Sequence, residues 1–294
     1  MDIHVIVPIP EEIQALPHVL EMLHSQKEAP AFHTILVGNC ERAELHSMMV
    51  HQQDHNPEFS AKWLHVPTAN PAKLRNAAVS ACEGGLLIFN EGNRIPGSDF
   101  VQEHVIFHQQ SGNMENLLVM GTPQELDTAL WKKAVAPGSA FFRDQEEMRV
   151  SLFIRKLMQL YNREGMTDSF IPWISTFGGN MSGSHELFRR HGFDEQLGEW
   201  GLENIDFGYR LFQDAGVFKW NRKAFNYAFE DKKETGYYEN RILRGSYLLE
   251  IKFRNSKAMQ VVGPFLLGEL TLEAIEYQIG NTRAKWLLTR EAHS

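Results

Sequence analysis

The sequence predicts an α/β protein built on a Rossmann-like, mostly parallel mixed sheet flanked by helices. Four short apolar runs alternate with three helical stretches within residues 1–90, which is the βαβ rhythm of parallel strands. No segment recurs at a fixed period, which sets repeat architectures aside. At 294 residues, with 43% hydrophobic and 22% charged side chains, the chain can bury a sizeable core.

The elements follow in order. Ile3 to Ile9 is a β-branched run punctuated by Pro8 and Pro10, a buried strand followed by a turn. Glu11 to Ser25 carries Ile13, Leu16, Leu20 and Leu23 at helical spacing. Thr34 to Val37 is a second strand, Glu41 to His51 a helix, Asp54 to Phe59 a polar loop and Trp63 to Val66 a third strand. Asn70-Pro71 is a helix start, with Asn as cap and Pro at the first helical position. That helix, Ala72 to Cys82, stops at Gly84-Gly85 before a fourth strand, Leu86 to Phe89.

Further on, Asp99 to Ser111 and Arg149 to Tyr161 read as helices, Leu117 to Gly121 as a strand and Glu164 to Phe177 as an aromatic loop. Helical patterns return at Glu186 to His191, Asn204 to Ala215, Glu239 to Phe253, and Leu270 to Arg290 with a break near Gly280.

The formal charge of −8 argues against nucleic acid as a partner, since phosphate backbones are met by basic stripes. One anionic small molecule needs only a few local cations. Cys40 and Cys82 are the two cysteines, too few for a disulfide framework. MDIHVIVPIP starts a strand at once, with no basic or long apolar leader, and no apolar run is long enough for a transmembrane segment. A cytoplasmic protein is the expectation.

Three segments carry a family resemblance. IHVIVPIPEE resembles the opening strand of inverting family 2 glycosyltransferases, where it leads into the nucleotide pocket, and so implicates Pro8. LRNAAVSACEGGLLIFNEGNRIP resembles their segment with an Arg-Asn pair, a helix, a Gly turn, an apolar strand and a D-x-D motif. FGGNMSGSHELFRRHGFDEQLGEWGLENIDFGYRL, Phe177 to Leu211, resembles a galactosyltransferase-type signature. Its pieces are Gly178-Gly179-Asn180, Gly192-Phe193-Asp194-Glu195, Trp200-Gly201 and Glu203-Asn204, closed by Asp206 and Arg210. The resemblance implies a GT-A fold over residues 1–235, with 1–97 as nucleotide-binding half and 98–235 as acceptor half. Residues 236–294 are then a helical extension.

It also implies roles. Pro8, Asn39, Lys73, Arg75, Asn76, Glu91, Asn93, Gly178 and Gly179 would bind the donor, and Trp200 and Gly201 the acceptor. Glu91-Gly92-Asn93 stands where the family carries D-x-D. Glu91 and Asn93 would therefore hold Mn²⁺ or Mg²⁺, which prefer oxygen ligands. One carboxylate holds such an ion less well than two, so a polar turn and a metal-independent variant using Arg75, Lys73 and backbone amides are the alternatives. The family's downstream metal-binding His is missing, and Glu230 and Asp231 lie in its region. Glu203-Asn204 replaces an acidic pair that supplies the general base. An amide accepts no proton at neutral pH, so either Glu203 takes the role of base or Asn204 instead orients an acceptor hydroxyl. Asp206 is spaced to pair with Arg210 along a helix.

The function implied is transfer of a hexosyl group from a nucleotide-sugar, UDP-linked, to an acceptor with inversion. The alternative is a degenerate relative that binds a nucleotide-sugar, sugar or partner without transfer. A nucleotidyltransferase would place a Gly-rich loop where this chain has PIPEE.

Overall fold

The computed structural model describes residues 1–9, 15–39, 61–112, 114–136, 139, 141, 150–198, 201–229, 236–254 and 256–280. Its first elements are β1 (Ile3–Ile9), α1 (Leu16–His24), β2 (His33–Gly38), β3 (Ala61–His65), α2 (Pro71–Ser80) and β4 (Leu86–Asn90). Then come β5 (Arg94–Pro96), α3 (Phe100–Gln110), β6 (Leu117–Leu126), α4 (Thr128–Ala134) and α5 (Leu152–Met158). A 3₁₀ turn, Pro172–Thr176, precedes β7 (Asn180–Ser184) and α6 (His185–His191). A second, Glu195–Leu197, precedes α7 (Leu202–Gln213), β8 (Val217–Phe229) and α8 (Tyr237–Lys252). The short helices α9 (Lys257–Gln260) and α10 (Val262–Leu266) follow, and residues 272–280 are helical.

The eight strands form one sheet in the order β3-β2-β1-β4-β7-β6-β8-β5. β1 runs parallel to β2 and β4, and β2 to β3, so this half of the sheet is the alternation expected from the sequence. β1, β2 and β4 are buried on both faces, as parallel strands covered by helices must be. β7 then enters antiparallel between β4 and β6, and β8 pairs parallel with β6 and antiparallel with β5.

Alternation along the strands splits the core in two. Ile6, Leu87 and Phe89 face a cluster with Trp173, Phe188, Phe193, Phe207 and Trp220, which also takes in Leu249, Met259 and Val262 from the C-terminal helices. Val5, Val7, Leu86 and Ile88 face Leu16, Leu20, Phe100 and Tyr227 on the other side. Each strand thus supplies both layers at period two.

Several elements differ from the sequence expectation. The strand from Leu117 runs on past Gly121 to Leu126. A bulge lies between Met120 and Thr122, and the Asn180 amide fills the space a Cβ on Gly121 would need. The loop from Glu164 to Phe177 ends in a buried 3₁₀ turn. β5, β7, β8 and α4 were not expected. Tertiary pairing makes β7 a strand although it reads Asn-Met-Ser-Gly-Ser, a poor β sequence. The expected helix 41–51 and loop 54–59 lie outside the described residues. Among the described residues, no helix is long and apolar enough to cross a membrane.

Behind β7 a buried polar relay joins α3 to β8. His108 Nε2 lies 2.9 Å from Ser182 Oγ, Ser182 Oγ lies 2.8 Å from His104 Nδ1, and His104 Nε2 lies 3.0 Å from Asn180 Oδ1. Asn180 Nδ2 donates to Ala224 O at 3.0 Å. One assignment satisfies all four contacts: each imidazole is neutral with its proton on Nε2, and the Ser182 hydroxyl donates to His104 Nδ1. Burial depresses His104 to about 3 and His108 to about 4.

The unfolded chain takes up both protons below about pH 6.5 while the folded chain refuses them. The relay's stability is therefore complete above that pH and is lost as pH falls toward 4, at up to about 1.4 kcal/mol per pH unit for each histidine. Urea melts at pH 7 and pH 5 should show a slope that shrinks in His104→Gln; an unchanged slope would show that His104 does not set it.

Candidate active site

The C-terminal ends of β1, β2 and β4 meet the residues that precede β7 and α7 at one end of the sheet. Gly92 N donates to Pro8 O at 2.9 Å, and Asn90 lies opposite Asn180 in the β4–β7 ladder. Arg75 is at the centre. It shares an inward face of α2 with Ala72 and Val79, three and four residues away, and is 3% exposed.

Its Nη1 donates to Glu203 Oε1 at 2.7 Å, its Nη2 donates to Glu91 Oε1, and its guanidinium lies 5.4 Å from the Phe193 ring centre. Burial alone would lower Arg75, but the two carboxylates overcome it and raise the guanidinium above its ordinary value. It therefore stays charged at any working pH.

Glu91 follows β4 in a turn closed by Arg94 N on Glu91 O at 2.9 Å. Asn90 Nδ2 braces the turn on Arg94 O at 2.7 Å, and Asn226 Nδ2 donates to Asn90 Oδ1 at 3.0 Å. Gly179 packs on the Glu91 carboxylate from the far side. Its φ is +63°, and a Cβ there would stand 2.5 Å from Glu91 Oε1, so the position needs glycine twice over.

Glu203 sits in the first turn of α7. The cap of that helix, Gly201, has φ +81° and lies against Phe177. Thr176 Oγ1 lies 2.8 Å from Asn204 O and holds the turn in place. Glu203 is 1% exposed, and its Oε2 and the neighbouring Asn204 Oδ1 are buried without a hydrogen-bond partner. Burial pushes the Glu203 carboxyl above the usual carboxylate range; Arg75 pulls it down and Glu91 adds to the rise. One guanidinium between two carboxylates leaves the trio formally one negative charge in excess, and the most buried carboxylate answers by holding a proton more tightly.

The other expected site residues are distributed unequally. Asn39, Lys73 and Asn93 are exposed at this same end, and Gly178 lies beside Pro123. Pro8 is buried in β1 and offers its carbonyl to Gly92. Asn76 is engaged elsewhere: its Oδ1 accepts from Phe193 N and its Nδ2 donates to Phe193 O, both at 2.8 Å. With the helix cap Asn70, whose Nδ2 donates to Glu195 O at 2.8 Å, it straps α2 to the segment before α7. Trp200, Glu230 and Asp231 lie outside the described residues. Asp206 pairs with Arg210 at 2.7 Å, as spaced, and also with Lys252 at 2.6 Å.

Among the described residues, Glu91 and Asn93 do not converge as a pair of cation ligands. Glu91 Oε1 is bound to Arg75, and Asn93 stands exposed. Among the described residues, no three His, Cys, Asp or Glu side chains converge on one point.

Sequence reasoning passed over Arg94. Its Nη1 is buried without a partner. Burial pulls its guanidinium down, against the opposing pull of Glu125 and Glu91. Because a guanidinium does not give up its proton, that direction marks an under-compensated positive charge. The signal was at hand, a cation directly after Glu-Gly-Asn in the quoted segment. Asn90 and Asn226 carried no such signal.

No protein-family model matches the chain, and no curated protein sequence matches it. Solved structures do. Residues 1–349 of S. aureus TarS in complex with UDP share 15% identity over 93% of this chain and 76% of that one, with a TM-score of 0.57. The mannosyltransferase PcManGT from Pyrobaculum calidifontis, in complex with GDP-Man and Mn²⁺, shares 14% identity over 99% of this chain and 79% of that one, with a TM-score of 0.59. The longer TarS chain shares 16% identity at a TM-score of 0.55, and the matched part is 42% of its length. At such identities the likeness is one of fold, and the fold of this chain is the GT-A-type glycosyltransferase fold.

Proposed function

We propose that the chain transfers a hexosyl group from a nucleotide-sugar, UDP-linked, to an acceptor hydroxyl with inversion, and that Glu203 is the general base. The Glu203 carboxylate carries this reading: Arg75 fixes one oxygen, the other is unpartnered, and burial makes it a stronger base than an exposed glutamate. In the step, the acceptor oxygen bonds to the anomeric carbon as the bond from that carbon to the diphosphate oxygen breaks. The acceptor proton goes to Glu203 Oε2, and the nucleoside diphosphate leaves with the bonding pair. UDP in a TarS complex and GDP-Man in PcManGT support a nucleotide-sugar donor.

A second reading, binding without transfer, is favoured by one observation. Glu203 is 1% exposed, and its neighbour is Asn204 rather than a second acid. Calorimetric titration of UDP, UDP-sugars and GDP-sugars, with donor turnover measured alongside, separates the two. Transfer predicts donor binding in the range of about 1 µM to 1 mM with measurable sugar release. Binding without release on any acceptor favours the second reading, and no nucleotide binding sinks both.

A further inference from the structure

Glu91 and Asn93 as placed do not pair up as ligands of a divalent ion, which leaves the donor's diphosphate to be met by something else. We infer that Arg94 takes the diphosphate and that no divalent cation takes part, an inference that rests on the donor reading above. Three observations carry it.

Among the described residues, Glu91 is the one carboxylate at the end of β4; Arg75 holds its Oε1 and Gly179 packs against it. A metal bound at Glu91 Oε1 would have to displace the Arg75 guanidinium from it. Arg94 leaves the same turn three residues later, with Nη1 buried and unpartnered. Buried donors in folded chains are nearly always satisfied, so a buried donor without an acceptor calls for one from outside.

The third observation is shape. Arg94 shares a face of the sheet with Asn226 and Ala228, as the β5–β8 register requires. A guanidinium fork matches phosphate oxygens in two-point contact. The exposed Lys73, at the start of α2, adds a second cation at this end of the sheet.

Inorganic pyrophosphate and UDP are the probes, titrated calorimetrically with EDTA and then with Mn²⁺. Affinities for both should agree within about threefold under the two conditions, fall at least tenfold in Arg94→Met, and recover in part in Arg94→Lys. A thermal melt of each variant verifies folding. Mn²⁺ titrated alone, followed by its paramagnetic resonance signal, should show no site that Glu91→Gln removes.

Pyrophosphate binding that requires Mn²⁺, a Glu91-dependent Mn²⁺ site, or unchanged affinity in a folded Arg94→Met would each overturn the inference. Failure of the wild-type chain to bind pyrophosphate would overturn it too. Pyrophosphate binding without UDP binding would instead remove the donor reading and leave Arg94 as an anion site.

Discussion

With Glu203 as the base proposed above, Glu203→Gln should lower turnover by about 10²–10⁴-fold, the usual contribution of a positioned general base, while donor affinity should stay within about threefold. The amide keeps the shape of the carboxylate and its oxygen can still accept from Arg75 Nη1, now 2.7 Å away, so the loss falls on the proton transfer. Initial rates and calorimetry on the same preparation measure both effects. Unchanged turnover in the variant would remove Glu203 from the role of base. The pH profile is a second reading of the same carboxylate. Because burial raises it, the acid limb of the wild-type rate should lie above the ordinary glutamate range, and rate should fall as pH drops through it.

Arg75→Ala has the largest expected effect on stability. Removing the guanidinium leaves Glu91 and Glu203 facing each other in a buried space with their shared cation gone. Breaking one side of a buried pair costs about 3–5 kcal/mol, a large part of the stability of an ordinary domain. The deficit should depend on pH with a definite sign. Without Arg75 the Glu203 carboxyl, already raised by burial, rises further, and a raised carboxyl contributes stability below its unfolded value that disappears as pH climbs. Urea midpoints of variant and wild type should therefore converge from pH 7 toward pH 5. Arg75→Lys restores the charge without the fork, so one of the two carboxylates regains its partner and part of the loss returns. A deficit below about 1 kcal/mol at pH 7 would mean that water reaches the trio and screens it.

What the sequence disclosed follows a physical division. β1, β2, β4 and α2 were legible because apolar runs, a Gly-Gly stop and an Asn-Pro start are local signals, and each was confirmed within a few residues. β7 was not, because Asn-Met-Ser-Gly-Ser is poor in strand formers and its strand character comes from pairing with β4 and β6; β8, rich in aromatic residues, carried a local signal that was passed over. β5 is three residues long and has no pattern to read. The site divides in the same way. Arg75, Glu91 and Glu203 were each singled out from short motifs. Their union in one ion-paired trio was not visible, because Arg75 and Glu203 stand 128 positions apart. Asn76 shows the reverse case, a motif residue expected at the ligand whose amide braces the Phe193 backbone instead.

That separation has a bearing on how the protein comes to be finished. Contacts between distant parts of a chain form late, because closing a long loop costs entropy before any bond repays it. Until α7 arrives, Arg75 has one carboxylate and an open side. Afterwards the trio is sealed, with Asn70 and Asn76 lashing α2 to the segment before α7. By that argument the trio is expected to be among the last parts to close, and a chain lacking α7 would hold Arg75 and Glu91 without the third member. On that expectation, assembly of the proposed site and completion of the fold coincide, marked by one arginine finding its second partner.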